Sequence, residues 1–260
     1  MKKILVFVLI VCMMFSLSGC GLLLLAMSGT ESDATSTEAD TKATEITTIN
    51  REEENNDEPY KITYSSVKTY SSVGTIWAQA IVEIENTGSY DLFLKVGTCD
   101  IEDLEGNLVA SKDISAYPQV ISPGEKGYYF DEYIIESLTE PTELKLTPRP
   151  QIVKSTTAHI AYSVTDISIT DFDYNRINVI GRVQNTSNSK GSMVYVAVTL
   201  FNEASEPIGL AYTVLTNDLN PGEKVGFETH RLSLPDGITS DSIASYTAVA
   251  YPYQYQFDFY

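Results

Sequence analysis

Pro123-Gly124-Glu125-Lys126 returns 98 positions later as Pro221-Gly222-Glu223-Lys224. Asn86-Thr87 returns as Asn185-Thr186, and Ile62-Thr63-Tyr64-Ser65 returns as Ile160-Ala161-Tyr162-Ser163. Three matches in one order, with offsets that differ by a single position, mean two copies of one unit. Each motif has a local job. Pro-Gly presets a tight turn, because proline fixes φ and glycine supplies the positive φ that a type II turn needs. Asn-Thr followed by Gly or Ser ends one strand and starts a turn.

Around these turns the chain from Tyr60 onward reads as strand. Runs rich in Val, Ile, Thr and Tyr, such as Ile76 to Glu85, Val179 to Gln184 and Met193 to Phe201, alternate with Gly, Pro, Asn and Asp. No amphipathic helix of useful length interrupts them. A repeat of about 100 residues with this pattern has the length of an immunoglobulin-like sandwich. The expectation is therefore an all-β chain with two tandem immunoglobulin-like Greek-key β-sandwiches, 60–150 and 151–260. The boundary is expected at Thr147-Pro148-Arg149-Pro150, where two prolines interrupt strand pairing.

The N-terminus supplies an address. Met1-Lys2-Lys3 is basic and Ile4 to Leu17 is almost wholly apolar, the pattern of a signal peptide. It ends in Leu17-Ser18-Gly19-Cys20, which resembles the lipobox of bacterial lipoproteins. That resemblance implies a cleaved signal over 1–19 and a diacylglycerol on Cys20. The alternative is an uncleaved anchor, since Leu22 to Met27 extends the apolar stretch. Either way the remainder lies outside the membrane, and two-chain acylation gives stable anchoring. Within 20–59, Ser28 to Pro59 carries ten acidic and two basic residues, many Thr and Ser, and no aromatic residue. Such a stretch cannot bury enough apolar surface to fold, and it is expected to be a disordered tether.

The second copy resembles the FxLYD-type domain of Gram-positive lipoproteins. The likeness runs over INVIGRVQNTS from Ile177, VYVAVTLFNEASEPIG from Val194 and LNPGEKVGFE from Leu219. At the namesake motif Leu200 matches, while Val198, Phe201 and Asn202 stand where the family has Phe, Tyr and Asp. The first copy, from Ala80 to Asn107 and Ile121 to Phe130, is similar to the related immunoglobulin-like domain of such lipoproteins. The resemblance implies secreted β-sandwiches and carries over no catalytic residue.

Net charge is -18, so there is no electrostatic footprint for nucleic acid. The folded part from Tyr60 holds 13 basic and 25 acidic residues. Three cysteines reduce to Cys99 once Cys12 and Cys20 are assigned to the leader. Cys99 is expected to be a buried strand residue with no disulfide partner. His159 and His230 both fall in the second copy, 71 positions apart, outside any metal-ligand spacing. Ser65-x-x-Lys68 and Ser187-x-x-Lys190 lack the partner motifs of penicillin-binding enzymes. Asp171-Phe172-Asp173-Tyr174-Asn175 opens like a calcium loop, but Arg176 and Arg182 stand where glycine and glutamate belong. A hairpin is expected there, and a charged face at Asp100, Glu102, Asp103 and Glu105. No catalytic residue, metal or cofactor is expected. Trp77 is expected in the core.

The C-terminus alternates with period two, which puts Tyr251, Tyr253, Tyr255, Phe257 and Phe259 on one face of an edge strand. That aromatic face is the candidate partner surface. The expected function is a non-enzymatic lipoprotein on the outer face of the bacterial cell membrane. It would bind or scaffold an envelope protein or wall polymer. The alternative is an accessory or regulatory subunit of a membrane transport or secretion system.

Overall fold

The computed structural model describes residues 58–253, apart from 158, 159, 161, 173, 174 and 236. The described chain is all-β, as the strand pattern requires. Its first half contains β1 (Tyr60–Ser72), β2 (Thr75–Asn86), β3 (Leu92–Glu102), β4 (Leu108–Tyr117), β5 (Val120–Ile121), β6 (Lys126–Ile134) and β7 (Lys145–Lys154). The second half contains β8 (Ser163–Phe172), β9 (Arg176–Gln184), β10 (Val194–Phe201), β11 (Pro207–Leu215), β12 (Lys224–Glu228), β13 (Leu232–Ser233) and β14 (Ser245–Pro252). A single 3-10 turn, Ser240–Ser242, precedes β14.

In the first half, β1, β2 and β6 form one layer, and β3 with β4, β5 and β7 forms the facing one. The layers join through β4, whose Leu108–Ile114 part pairs β3 while Ser115–Tyr117 pairs β6. Ala80, Val82 and Ile84 of β2 meet Leu92, Leu94 and Cys99 of β3 between them. In the second half, β11-β10-β14 and the sheet of β8, β9, β12 and β13 are separate. Val194 and Val196 of β10 pack on Val183 and Phe227 there.

The repeated motifs converge in space. Asn86 closes β2, and its Nδ2 donates to Tyr90 O (2.9 Å) and Ile121 O (3.0 Å). Its Oδ1 accepts from Gly88 N (2.9 Å), and its carbonyl accepts from Gly124 N (2.8 Å). Asn185 repeats this with Ser189 O and Leu219 O (both 2.8 Å), Ser187 N (2.9 Å) and Gly222 N (2.8 Å). Asn-Thr and Pro-Gly-Glu-Lys are therefore two strands of one corner rather than two independent turns. Gly124 and Gly222 have φ of 79° and 78°, a conformation that a side chain strains. A second corner also repeats. Asp103 caps Asn107 N, and Asn202 caps Glu206 N (2.8 and 2.9 Å).

The expected boundary differs in detail. Pro148 and Pro150 lie inside β7, which continues to Lys154 along β3. Proline is tolerated because β7 pairs on one side only, so its other side needs no donor. Trp77 is partly buried rather than a fully buried core residue. It lies beyond the region where the second half covers β2, which includes Ile81.

The two halves are stacked sheet on sheet. On β2, Ala80, Val82 and Ile84 face the first core, while Gln79, Ile81 and Glu83 face the second half, and all six are buried. On β10, Val196, Val198 and Leu200 face one way and Ala197, Thr199 and Phe201 the other, and again all are buried. Burial of both faces explains why the run around Val198 lacks polar alternation, whereas the second face of β2 carries Gln79 and Glu83, buried with hydrogen bonds to Glu132, Ser233, Thr63 and Lys126. Ile81, Tyr117, Tyr128 and Phe130 share a core with Ala197, Phe201, Leu210 and Leu232. Gly209 of β11 also lies at this face, where an added Cβ would stand 3.8 Å from Gln79 Oε1 of β2 and 2.8 Å from Leu232 Cδ2 of its own half.

Candidate functional site: a tyrosine-lined cleft between the halves

The face-to-face packing leaves two hollows, one on either side of the Tyr117-Pro118-Gln119 bend between β4 and β5. The larger, about 400 Å³, is lined by Pro118, Tyr128, Tyr162, Thr199 and Thr247 to Val249, with Glu125 and Lys126 among its polar residues. The smaller, about 130 Å³, is lined by Leu94, Val96, Tyr117, Gln119, Tyr195, Tyr251 and Tyr253. A concave apolar surface with a few polar groups, set between two packed units, is the form small-ligand sites take.

The local sequence positions each wall. Strand β14 pairs β10 in register, so Tyr251 lies directly opposite Tyr195. Their rings stack at 5.8 Å and 17°, and Tyr253 lies 5.2 Å from Tyr195. Tyr117 packs on Tyr212 at 5.0 Å, and Tyr212 meets the His230 ring edge-on at 5.7 Å. Burial, then the neighbouring Tyr117 and Tyr195, holds the Tyr251 hydroxyl well above its ordinary pKa. Burial does the same for Tyr117 and Tyr128. These hydroxyls are neutral at any physiological pH, so the tyrosines offer hydrogen bonds and ring faces, and the charge in the larger hollow comes from Glu125 and Lys126.

Of the expected aromatic face, Tyr251 and Tyr253 thus reach the cleft. Tyr255, Phe257 and Phe259 lie outside the described residues, as does Cys20. Tyr117, Tyr128, Tyr162 and Tyr195 were not singled out from the sequence. The signal was available for Tyr195. It belongs with Ala197, Thr199 and Phe201 to the second face of a strand whose first face is already apolar.

The other candidates resolve into structure. Asp100 pairs with Arg149 and accepts from Ser111 Oγ (2.7 Å). Asp103 is held low by Asn107, whose side chain and backbone both donate to it. Lys190 pairs with Asp218 at 2.5 Å, and Ser187 Oγ donates to Asn185 Oδ1 at 2.7 Å. Cys99 is a free, fully buried thiol, pushed up by burial. Phe172 and Arg176 are the β8 and β9 sides of the hairpin expected there. Among the described residues, no three His, Cys, Asp or Glu side chains gather as a metal site. His159 lies outside the described residues.

Glu132 joins the buried Glu83 as an acid at the stacked interface. Glu132 Oε1 accepts from Tyr70 OH (2.7 Å) and from Gln79 Nε2 (3.3 Å), and Gln79 Nε2 also reaches Ser233 O (3.1 Å). Burial pushes the Glu132 carboxyl up from 4.5, and Asp131 adds to it, while Tyr70 and Gln79 pull it down. A raised folded value means that stability is full below the unfolded pKa and is lost as pH rises through the folded one. Glu132→Gln keeps the acceptor and removes the charge. It is expected to be more stable than the native chain near pH 8 and no more stable at about pH 4. Urea midpoints at the two pH values check this, and a variant weakened equally at both contradicts it.

No family model matches the chain, and no curated protein matches it.

Proposed function

We propose that this protein is a non-catalytic binding or scaffolding module on the outer face of a bacterial cell membrane, anchored through a lipid on Cys20. The observation that carries the reading is the tyrosine-lined cleft flanking Tyr117 to Gln119. It comprises two neighbouring concave surfaces, each with ring faces and hydroxyl groups, on a stack of sheets that holds them fixed. The leader and the Leu17-Ser18-Gly19-Cys20 motif support the address. The buried carboxylates Glu83, Glu132 and Asp100 each serve internal hydrogen bonds, and none of the three lines either hollow.

The test is photocrosslinking in intact cells, with a benzophenone amino acid placed at Tyr253 in the cleft and at Val73 on the exposed β1–β2 turn. Adducts to a common envelope component are expected at Tyr253 and not at Val73. Equal labelling at both sites, or at neither, argues against the cleft as the binding surface. In the same cells Cys20→Ala is expected to lose incorporation of a palmitate analogue and to leave the membrane fraction. Retained label would remove the lipid anchor from the proposal.

A further inference from the structure

The first half has a second concave surface, far from the tyrosine cleft in the sheet order. Strands β1 and β7 are the two edges of the seven-stranded sheet, since β1 pairs only β2 and β7 pairs only β3. Five successive antiparallel pairings separate them, so β1 and β7 run antiparallel to each other. A clasp three residues before β7 ties its approach to β1. Thr69 Oγ1 donates to Thr142 O (2.7 Å) and accepts from Thr142 N (2.8 Å). From that clasp they run side by side without pairing, and the seam between them is a groove of about 680 Å³. Its walls are Ser65 to Thr69 on one side and Thr142 to Thr147 on the other, with Glu102 beside them. Val67 and Leu144 form an apolar floor continuous with Ile101 and Ile135.

Charge separates these edges from the rest of the molecule. The two strands carry Lys61, Lys68, Lys145, Arg149 and Lys154, and no acidic residue. That is five of the 13 basic residues from Tyr60 onward and none of the 25 acidic ones. The matching edge of the second half, β8, carries Asp166 and Asp171 and no base. Glu102 and Glu143 line the groove beside Lys68 and Lys145, Lys145 Nζ donates to Leu104 O (3.2 Å) and Arg149 is matched by Asp100, so Lys61, Lys68 and Lys154 carry the unmatched positive charge of the two edges. Lysine and proline on an edge keep like edges apart. Pro148 and Pro150 remove donors from the middle of β7, so that part of the edge is blocked. The stretches Ser65–Thr69 and Leu144–Thr147 contain no proline and keep their backbone donors. Edges of one sign repel a second copy of themselves and attract an extended chain of the opposite sign.

We infer that the β1–β7 seam receives an acidic extended peptide of a partner protein, which adds to β1 as an antiparallel strand. Strand β1 is the longer edge and has no proline, and antiparallel pairing is the firmer of the two modes. Backbone bonds to β1 supply the register. Lys68 and Lys145 meet acidic side chains on the outer face, and Val67 and Leu144 take small apolar ones on the inner face. The groove does not depend on the tyrosine cleft, and its failure would leave the proposal for the cleft untouched.

The test uses the full chain and a fluorescein-labelled peptide of roughly eight residues alternating glutamate with threonine or valine. Its lysine counterpart and a version with a central proline serve as comparisons. Anisotropy is expected to rise only for the acidic peptide, with an affinity that falls as salt rises. Lys68→Glu with Lys145→Glu is expected to weaken it by at least about tenfold and to admit the lysine peptide. Ser66→Thr, which keeps the strand, should bind as the native chain does, which separates loss of recognition from loss of fold. Equal binding of acidic and basic peptides, no binding of either, or full binding of the proline peptide would overturn the assignment. So would a native chain that sediments as a dimer dissolved by the two lysine reversals, since the seam would then hold a second copy.

Discussion

Asn185→Ala is expected to lose about 3–5 kcal/mol of stability, a large share of what a domain possesses. The side chain is fully buried and makes four hydrogen bonds, to Ser189 O, Leu219 O, Ser187 N and Ser187 Oγ. Each is worth about 1 kcal/mol net, and the carbonyl of Leu219 would be left buried with fewer partners, at a cost of about 1–3 kcal/mol more. Asn86→Ala removes three equivalent bonds and should lose nearly as much. Denaturant midpoints measure both, with the slope unchanged. Asn185→Asp separates bonding from shape. The carboxylate has the same outline but turns two donors into acceptors facing two carbonyls. It should be worse than alanine at neutral pH and recover as the pH falls and the carboxyl is protonated. Losses below about 1 kcal/mol at both asparagines would mean that the corners are decoration.

Phe201→Ala is expected to cost about 3–5 kcal/mol and to be felt in the other half of the molecule. Phe201 ends β10, and its ring stands edge-on to Tyr128 of β6 at 6.2 Å, inside the core that draws on both halves. Trp77 is the chain's single tryptophan and lies on β2, so intrinsic fluorescence at long wavelength reports the first half alone. A substitution in the second half should therefore move the tryptophan midpoint and the far-ultraviolet circular dichroism midpoint together. If the tryptophan transition stays in place while the dichroism shifts, the halves unfold independently and the shared core is only a contact.

The strand class was legible because turn chemistry is local. Pro-Gly at 123 and 221 demands positive φ whatever surrounds it, and Asn at 86 and 185 marks a strand end. Two kinds of fact were not local. Asn86 and Gly124 are 38 positions apart, and nothing in either motif announces that one donates to the other's carbonyl. The role of Trp77 also depended on how far the second half reaches along β2, which no window of sequence contains. Pro148 and Pro150 misled for a related reason. Proline reads as the end of pairing, yet an edge strand pairs on one side only and can carry it. In the candidate site, period-two alternation was enough to place Tyr251 and Tyr253 on one face. Tyr117, Tyr128 and Tyr162 come from separate turns and strands, and only stacking of the two halves brings Tyr128 and Tyr162 to one hollow and Tyr117 with Tyr195 to the other.

The buried second faces of β2 and β10 bear on how fast and how tightly the cleft can work. Its walls are extensions of two sheets locked together by Ile81, Phe130, Ala197 and Phe201. They cannot part for an entering molecule without exposing that core to water. A guest of the proposed site would therefore meet walls already ordered by folding, with little further loss of protein freedom set against its affinity. Association at such a surface should follow a single-step, concentration-proportional time course without a slow conformational phase, and differences between guests should show in how long they stay.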